Sequence, residues 1–340
     1  MNIKTVYFEI TNRCNLNCKT CYNRSGLNTT TKEISVEQLE KTILTFHSYG
    51  ASRFLFSGGE PTLHSQFHEI LLLTKRYPNF SYGFVTNGTV HDPIWIHYLN
   101  AAKNVTLQIS LDGINEAQNA QIRGLGNFDK TINFVKQIHN PNLKPLLKMV
   151  VTRDNLNGVE DFYKMAIELG CIPEYAFIYK SGNAEEDWNY KLLSAQQKIH
   201  LLKVIDQLNQ TYRVDAFLPK CTVSCPFIKS VKDLSLCVKT NGSIQPCQSL
   251  YDSVFSLGNI FDFQEQYFMS RIEQIAQMAQ ERAACDFGCK KCMLQKVCGR
   301  GCMAEAYLLK KSYLANDDNC TYRKLLLLEY EIRKQQKAHE

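Results

Sequence analysis

Short apolar runs alternate with amphipathic stretches through the first half of the chain. Residues 4–11, 52–57, 80–88, 104–113, 145–152 and 174–179 are rich in β-branched and aromatic side chains, and each reads as a strand, several running into a turn. Between them, residues 35–48, 66–76, 93–102, 128–139 and 156–170 carry apolar side chains at helical spacing. Ser35 suits an N-cap, Pro93 a first helical turn, and Gly170 a helix end. The strands are nearly continuous hydrophobic runs, as when both faces of a sheet are covered. Strands separated by helices imply parallel pairing through right-handed crossovers. A partial barrel and an open doubly wound sheet both satisfy this order.

After residue 180 the texture changes. Residues 180–189 are polar and read as a linker, and 190–212 return to a helical pattern. Residues 234–247 read as a β-hairpin turning at Asn241-Gly242. The expected organisation is an α/β partial (β/α)6 barrel over 1–180, a linker and helix over 181–214, a smaller cysteine-rich domain over 215–325, and a terminal helix over 326–340.

Composition narrows the function classes. The 340 residues are 44% hydrophobic, enough for a large core without disulfides. The net charge of +6 is spread among acidic residues, which gives no ground for a nucleic-acid partner. The start, MNIKTVYFEIT, lacks the apolar region of a signal peptide, and runs such as ILLL at 70–73 are too short to span a bilayer. The expectation is a cytoplasmic protein with no membrane partner, where thiols stay reduced. Fourteen cysteines then need a reason other than disulfides. All but Cys171 fall in two regions, 14–21 and 221–320, and clustering points to metal or iron–sulfur ligation. Cys171 reads as a small buried hydrophobe.

The first cluster, CNLNCKTCY, spaces Cys14, Cys18 and Cys21 as C-x3-C-x2-C. A cubane of four irons takes four ligands. Three protein thiolates leave one iron open to bind something else, as open catalytic zinc sites do. Zinc itself is the rival, but no nearby His or paired C-x2-C completes a tetrahedron.

This motif after the first strand, with Gly58-Gly59-Glu60-Pro61 after the second, resembles the radical S-adenosylmethionine (SAM) superfamily. The resemblance implies a [4Fe–4S] cluster on Cys14, Cys18 and Cys21, with SAM chelated to the open iron and cleaved to a 5′-deoxyadenosyl radical. It implies SAM contacts from Ser57, Gly58, Gly59 and Glu60, the last or its backbone taking the SAM ammonium. Ser110 and Asp112 of SLDG, with Arg123, are further polar contacts; Thr86 and Asn87 are weaker ones. The aromatic that many members carry before the third cysteine is here Thr20, so Tyr22 is the stand-in against the adenine.

The second set, Cys289, Cys292, Cys298 and Cys302, is spaced C-x2-C-x5-C-x3-C, with Gly242-x4-Cys247 upstream and Cys320 downstream. Together these resemble the SPASM extension, which holds two auxiliary [4Fe–4S] clusters; a zinc ribbon is the alternative. The resemblance implies an outer cluster on Cys289, Cys292, Cys298 and Cys320, and an inner one on Cys247, Cys302 and two of several candidates. Cys225 lies too far from Gly242 for the family spacing and Cys237 too near; Cys221 and Cys285 also compete. Some SPASM enzymes carry an Asp base after the hairpin cysteine, where this chain has Gln248.

The resemblance implies an enzyme modifying a ribosomally made peptide, by thioether or carbon–carbon cross-linking, epimerisation or related oxidation. Alternatives are oxidation of a small molecule or tetrapyrrole, and a zinc-stabilised interaction protein without catalysis. The chain begins at its first strand, so a peptide substrate would need a separate leader-recognition protein or the enzyme's own surface. A flavodoxin or ferredoxin would supply electrons.

Overall fold

The computed structural model describes residues 2–26, 30–186, 188–216, 225–228, 234–286, 288–289, 291–294 and 298–337. The six apolar runs form β1 (Ile3–Thr11), β2 (Arg53–Gly58), β3 (Ser81–Thr86), β4 (Val105–Ser110), β5 (Leu146–Val151) and β6 (Ile172–Phe177). Between them lie α1 (Val36–Ser48), α2 (Phe67–Arg76), α3 (Pro93–Ala101), α4 (Glu116–Arg123), α5 (Phe128–Lys136) and α6 (Val159–Glu168). Ser35 caps α1 by accepting from Gln38 N, and Asp92 caps α3 ahead of Pro93. The helix expected over 156–170 opens as a 3-10 turn, Leu156–Gly158, before α6 begins.

Every pairing from β1 to β6 is parallel, in the order β6-β5-β4-β3-β2-β1. An order that never reverses sends each right-handed crossover to the same face. The helices therefore cover one face and the strands turn the other inward, which makes a partial barrel. Alternation along the strands fits this. Val6, Phe8 and Ile10 enter the helix-covered core with Leu107, Ile109, Leu147 and Met149. The intervening positions Glu9, Gln108, Lys148 and Glu174 are polar and face the barrel interior, where Lys148 Nζ lies 3.2 Å from Gln108 Oε1 and 3.1 Å from Glu174 Oε1.

Two regions depart from expectation. The stretch read as a linker is built: a 3-10 turn over Gly182–Glu185 leads to α7 (Trp188–Lys191) and α8 (Ala195–Tyr212), the latter opened by a Ser194–Gln197 capping box. The hairpin turns where expected, with Gly242 at φ 80°, between β7 (Leu234–Val238) and β8 (Ile244–Gln245). Its first strand, however, pairs in parallel with β1, Tyr7 opposite Cys237, so the hairpin extends the barrel sheet. Beyond it come α9 (Glu265–Ala284), α10 (Met303–Lys310) and α11 (Cys320–Lys337), the last starting six residues ahead of the boundary expected at 326.

α9 buries Phe268, Ile272, Ile275 and Ala279 on one face. Phe268 meets Phe46 at 5.9 Å and Tyr49 at 5.7 Å between ring centroids, joining α9 to α1. Phe268→Ala should therefore lower stability by about 3–5 kcal/mol, read from the denaturant midpoint of the full chain.

Candidate active site

The β1–α1 connection carries the first three cysteines with almost no regular structure of its own. Neighbours impose its shape. Gly59 N and Glu60 N donate to Thr11 O and Arg13 O at 2.8 and 2.7 Å. A Cβ on Gly58 would stand 2.2 Å from Thr11 O, and one on Gly59 would stand 2.0 Å from Arg13 O. The glycine pair was expected to admit a ligand. What it admits first is the chain's own backbone, which must cross here for the loop to leave the sheet edge. On the far side, Lys19 N donates to Ile122 O at 2.9 Å, docking the loop on the end of α4.

Cys14, Cys18 and Cys21 line one cleft at the C-terminal edge of the parallel strands, about 1250 Å³ including its open mouth. Tyr22, Ser57, Gly58, Gly59, Thr86, Asn87, Ser110 and Arg123 line the same cleft. Burial pushes the Cys14 thiol up to about 12. Burial also lifts Cys18, to about 11, against the opposing pull of Arg123. Leu16 N lies 3.4 Å from Cys14 Sγ and donates to it; Arg123 Nη1 lies 3.9 Å from Cys18 Sγ. Both contacts favour the thiolate form that a metal requires.

Two expected contacts are placed differently. Glu60 is buried, and its carboxylate accepts from Thr62 Oγ1 (2.8 Å), Thr86 Oγ1 (2.8 Å) and Asn87 N (2.7 Å). It is not among the residues lining the cleft, which at this motif are Ser57, Gly58 and Gly59. The carboxylate instead ties the ends of β2 and β3 together. Asp112 is also fully buried: Oδ1 accepts from Val150 N at 2.8 Å, and Oδ2 pairs with Arg123 Nε at 2.7 Å. It holds Arg123 in place and does not itself reach the cleft. Tyr22 does line the cleft, and its ring also carries Lys239 Nζ 5.9 Å from its centroid.

Several cleft residues were not anticipated. Gln108 and Lys148 reach it from β4 and β5, and Gln248 and Ser249 from beyond the hairpin. A lone Lys in PLLKMVVT and a lone Gln in VTLQIS were the available signals, because a polar residue on an apolar parallel strand must find a polar interior. Next to this cleft lies a second, polar one sharing Tyr22 and Ser25, with Lys239 paired to buried Glu9 at 2.5 Å. Cys237 sits beside that pair, 4.0 Å from Glu9 Oε1.

The second cysteine set falls into two places. Cys289, Cys292, Cys298 and Cys320 line a single cavity of about 580 Å³ with Arg300 and Arg323. Cys225, Cys247 and Cys302 lie close enough for their charges to interact, and burial raises all three thiols. Cys285 ends α9, Cys171 is buried in the core, and Cys221 lies outside the described residues. Among the described residues no three His, Cys, Asp or Glu side chains stand close enough to hold a metal ion. A zinc ribbon would draw its sulfurs to about 2.3 Å from one point. The described residues lining the barrel cleft include three thiols and no His, Asp or Glu to complete a zinc site. That donor set fits a [4Fe–4S] cluster with one iron left open.

Residues 8–166 match the model of the Radical SAM superfamily, and that part of the chain is a Radical SAM domain, the class of enzyme that works with a [4Fe–4S] cluster and SAM. The chain is 26% identical to the mycofactocin maturase MftC of Mycolicibacterium smegmatis over 92% of this chain and 81% of the relative. It is 22% identical to an AdoMet-dependent heme synthase of Nitratidesulfovibrio vulgaris over 94% of this chain and 92% of the relative. The fold is shared with Streptococcus suis SuiB bound to its precursor peptide SuiA, at TM-score 0.75 and 15% identity over 93% of this chain and 75% of SuiB. The Radical SAM domain removes the reading as a zinc-held protein without catalysis. No helix among the described residues is long and apolar enough to cross a membrane.

Asp112→Asn should cost about 1–3 kcal/mol in the denaturant midpoint, because it leaves a buried guanidinium without its counter-charge. SAM affinity should fall with it through release of Arg123. An unchanged midpoint, measured beside SAM titration of the reconstituted enzyme, would show the pair carries no weight.

Proposed function

We propose that this enzyme modifies a ribosomally made peptide, with the cluster on Cys14, Cys18 and Cys21 in the barrel and two auxiliary [4Fe–4S] clusters beyond residue 215. The observation that carries the reading is the sorting of the cysteines: three on the barrel cleft, four on one cavity, and three more buried together near the hairpin. When bound, the barrel cluster supplies the electron that splits SAM into methionine and a 5′-deoxyadenosyl radical able to take a hydrogen atom from a substrate C–H bond.

The chain's own residues then have separable tasks. The 57–59 backbone, Ser110 and Arg123 hold the polar end of SAM, Arg123 being fixed by Asp112. Val150, Phe177 and Ile178 give the cleft an apolar wall that keeps water from the reacting carbon. Gln248 reaches the same cleft without an ionisable group, so an Asp base at that position has no counterpart here. The outer auxiliary cluster is assigned to Cys289, Cys292, Cys298 and Cys320, the inner to Cys225, Cys247 and Cys302 with one of Cys221 and Cys237. When bound, clusters on these cysteines would supply an electron acceptor for the substrate or a fixed surface that positions it.

Likeness to MftC, named a maturase, and the shared fold with peptide-bound SuiB support a peptide substrate. A separate leader-binding protein, a flavodoxin or ferredoxin donor and a cytoplasmic location complete the proposal. Likeness to AdoMet-dependent heme synthases favours the second reading, a small-molecule or tetrapyrrole substrate. The deciding experiment incubates anaerobically reconstituted enzyme, SAM and reductant with short peptides encoded beside its gene. A mass change in peptide matched by 5′-deoxyadenosine supports the first reading, and peptide left unchanged while a tetrapyrrole is consumed supports the second.

Replacing any of Cys14, Cys18 and Cys21 by Ala should abolish 5′-deoxyadenosine formation. Cys292→Ala should remove about four irons per chain, leaving SAM cleavage at the barrel intact. Variants lacking both Cys247 and Cys302 should cleave SAM without making product, measured on the same preparations. Iron counts equal to the parent would overturn the auxiliary clusters.

A further inference from the structure

We infer that residues 181–185 form a strap that positions the barrel's cluster loop, with Asn183 as its central positioning residue; this rests on the cluster assigned above to Cys14, Cys18 and Cys21. Asn183 N donates to Cys21 O at 2.8 Å. Its Nδ2 donates to Cys18 O at 3.0 Å and to Asn17 Oδ1 at 2.9 Å. One residue thus fixes the carbonyls of two of the three cysteines. Ser181 Oγ donates to Tyr22 O at 2.8 Å. The loop reaches back as well: Arg24 Nη2 donates to Gly182 O at 2.9 Å, and Arg24 takes a left-handed φ of 49° to do so.

Gly182 shows how closely the two segments lie. Its φ is +62°, and a Cβ there would stand 2.4 Å from Cys21 O and 2.6 Å from the Tyr22 carbonyl carbon. Only glycine lets the strap rest flat on the loop. An ordinary surface turn satisfies its own polar groups from nearby residues. These donors instead cross 159 to 166 positions of sequence to reach one loop. The physical need is plain. A cluster with three protein ligands has one anchor fewer than a closed site, so the loop's geometry must be held by something other than ligation. Carbonyl donors do this without competing for the sulfurs. Ser181 Oγ also lies 3.1 Å from Tyr251 Oη, on the arm that follows Cys247, so the strap touches both cysteine regions.

The test uses the full chain, reconstituted anaerobically, in five forms: parent, Gly182→Ala, Asn183→Ala, Ser181→Ala and Ser181→Thr. The barrel cluster is followed as the paramagnetic signal that changes when SAM is added. Its loss to an iron chelator and its reduction potential are measured, with thermal unfolding of the iron-free chain alongside. Gly182→Ala and Asn183→Ala should lose the barrel signal at least about fivefold faster and shift its potential, with Ser181→Ala affected less and Ser181→Thr like the parent. Chelation rates and potentials equal to the parent in Gly182→Ala and Asn183→Ala would overturn the strap, whether or not the iron-free chain melts earlier. A sixth form lacking Cys14, Cys18 and Cys21 that keeps the SAM-responsive signal would instead overturn the cluster assignment, and the strap with it.

Discussion

The barrel's chemistry depends on holding an irregular loop still. The chain between β1 and α1 places three thiols on one cleft, and its cysteine stretch is bonded to segments distant in sequence. Its order is borrowed from three sides. Gly59 N and Glu60 N clamp its start, the end of α4 and Arg123 flank its middle, and Asn183 takes the carbonyls of Cys18 and Cys21. These partners belong to the connections that follow β2, β4 and β6, where a parallel sheet leaves its loops. The monotone strand order gathers the strand C-termini on one rim, so residues far apart in sequence converge on one loop.

Two carboxylates show how the rim is stiffened. Glu60 and Asp112 sit in motifs that look made for ligand contact, yet both point into protein and spend their oxygens on neighbours. Burial raises the Glu60 carboxyl while its three hydrogen-bonding partners at the β2 and β3 ends pull it back down. The polar residues that line the cleft beside the cysteines include Ser57, Asn87, Gln108, Ser110, Arg123 and Lys148. A rim built this way presents donors whose positions were fixed before any ligand arrives.

Much of this was legible in the sequence, for reasons that also mark where it stopped. The barrel strands were readable because the positions turned toward the helices are apolar in strand after strand, and each run is rich in β-branched and aromatic residues. α4 was not, because it buries only Asn119 and Ile122, the rest being two alanines and polar residues behind the Asn115 cap. α9 carries a readable signal, since Phe268, Ile272, Ile275 and Ala279 recur at helical spacing. The three-cysteine loop was visible from spacing alone. The partners of a side chain at a turn were not, since Ser110 and Asp112 belong to one motif and only Ser110 lines the cleft, while Asp112 is taken up by Val150 N and Arg123. The segment 180–189 looked like a linker because its polar residues find their partners in a loop far away in sequence.

The parallel pairing of β7 with β1 carries a consequence for how the molecule comes into being. Ile3 lies opposite Leu234, so one ladder joins the two ends of most of the polypeptide. While the chain is being made, β2 to β6 can assemble on one side of β1, but its other side stays open until residue 234 emerges. An unpaired strand edge is a template for other chains, and contacts of such long sequence separation close slowly. The strand that leads straight into the cluster loop is thus the last of the barrel to be sealed. The cell must keep that edge from pairing with a stranger for most of the time the protein takes to be synthesised.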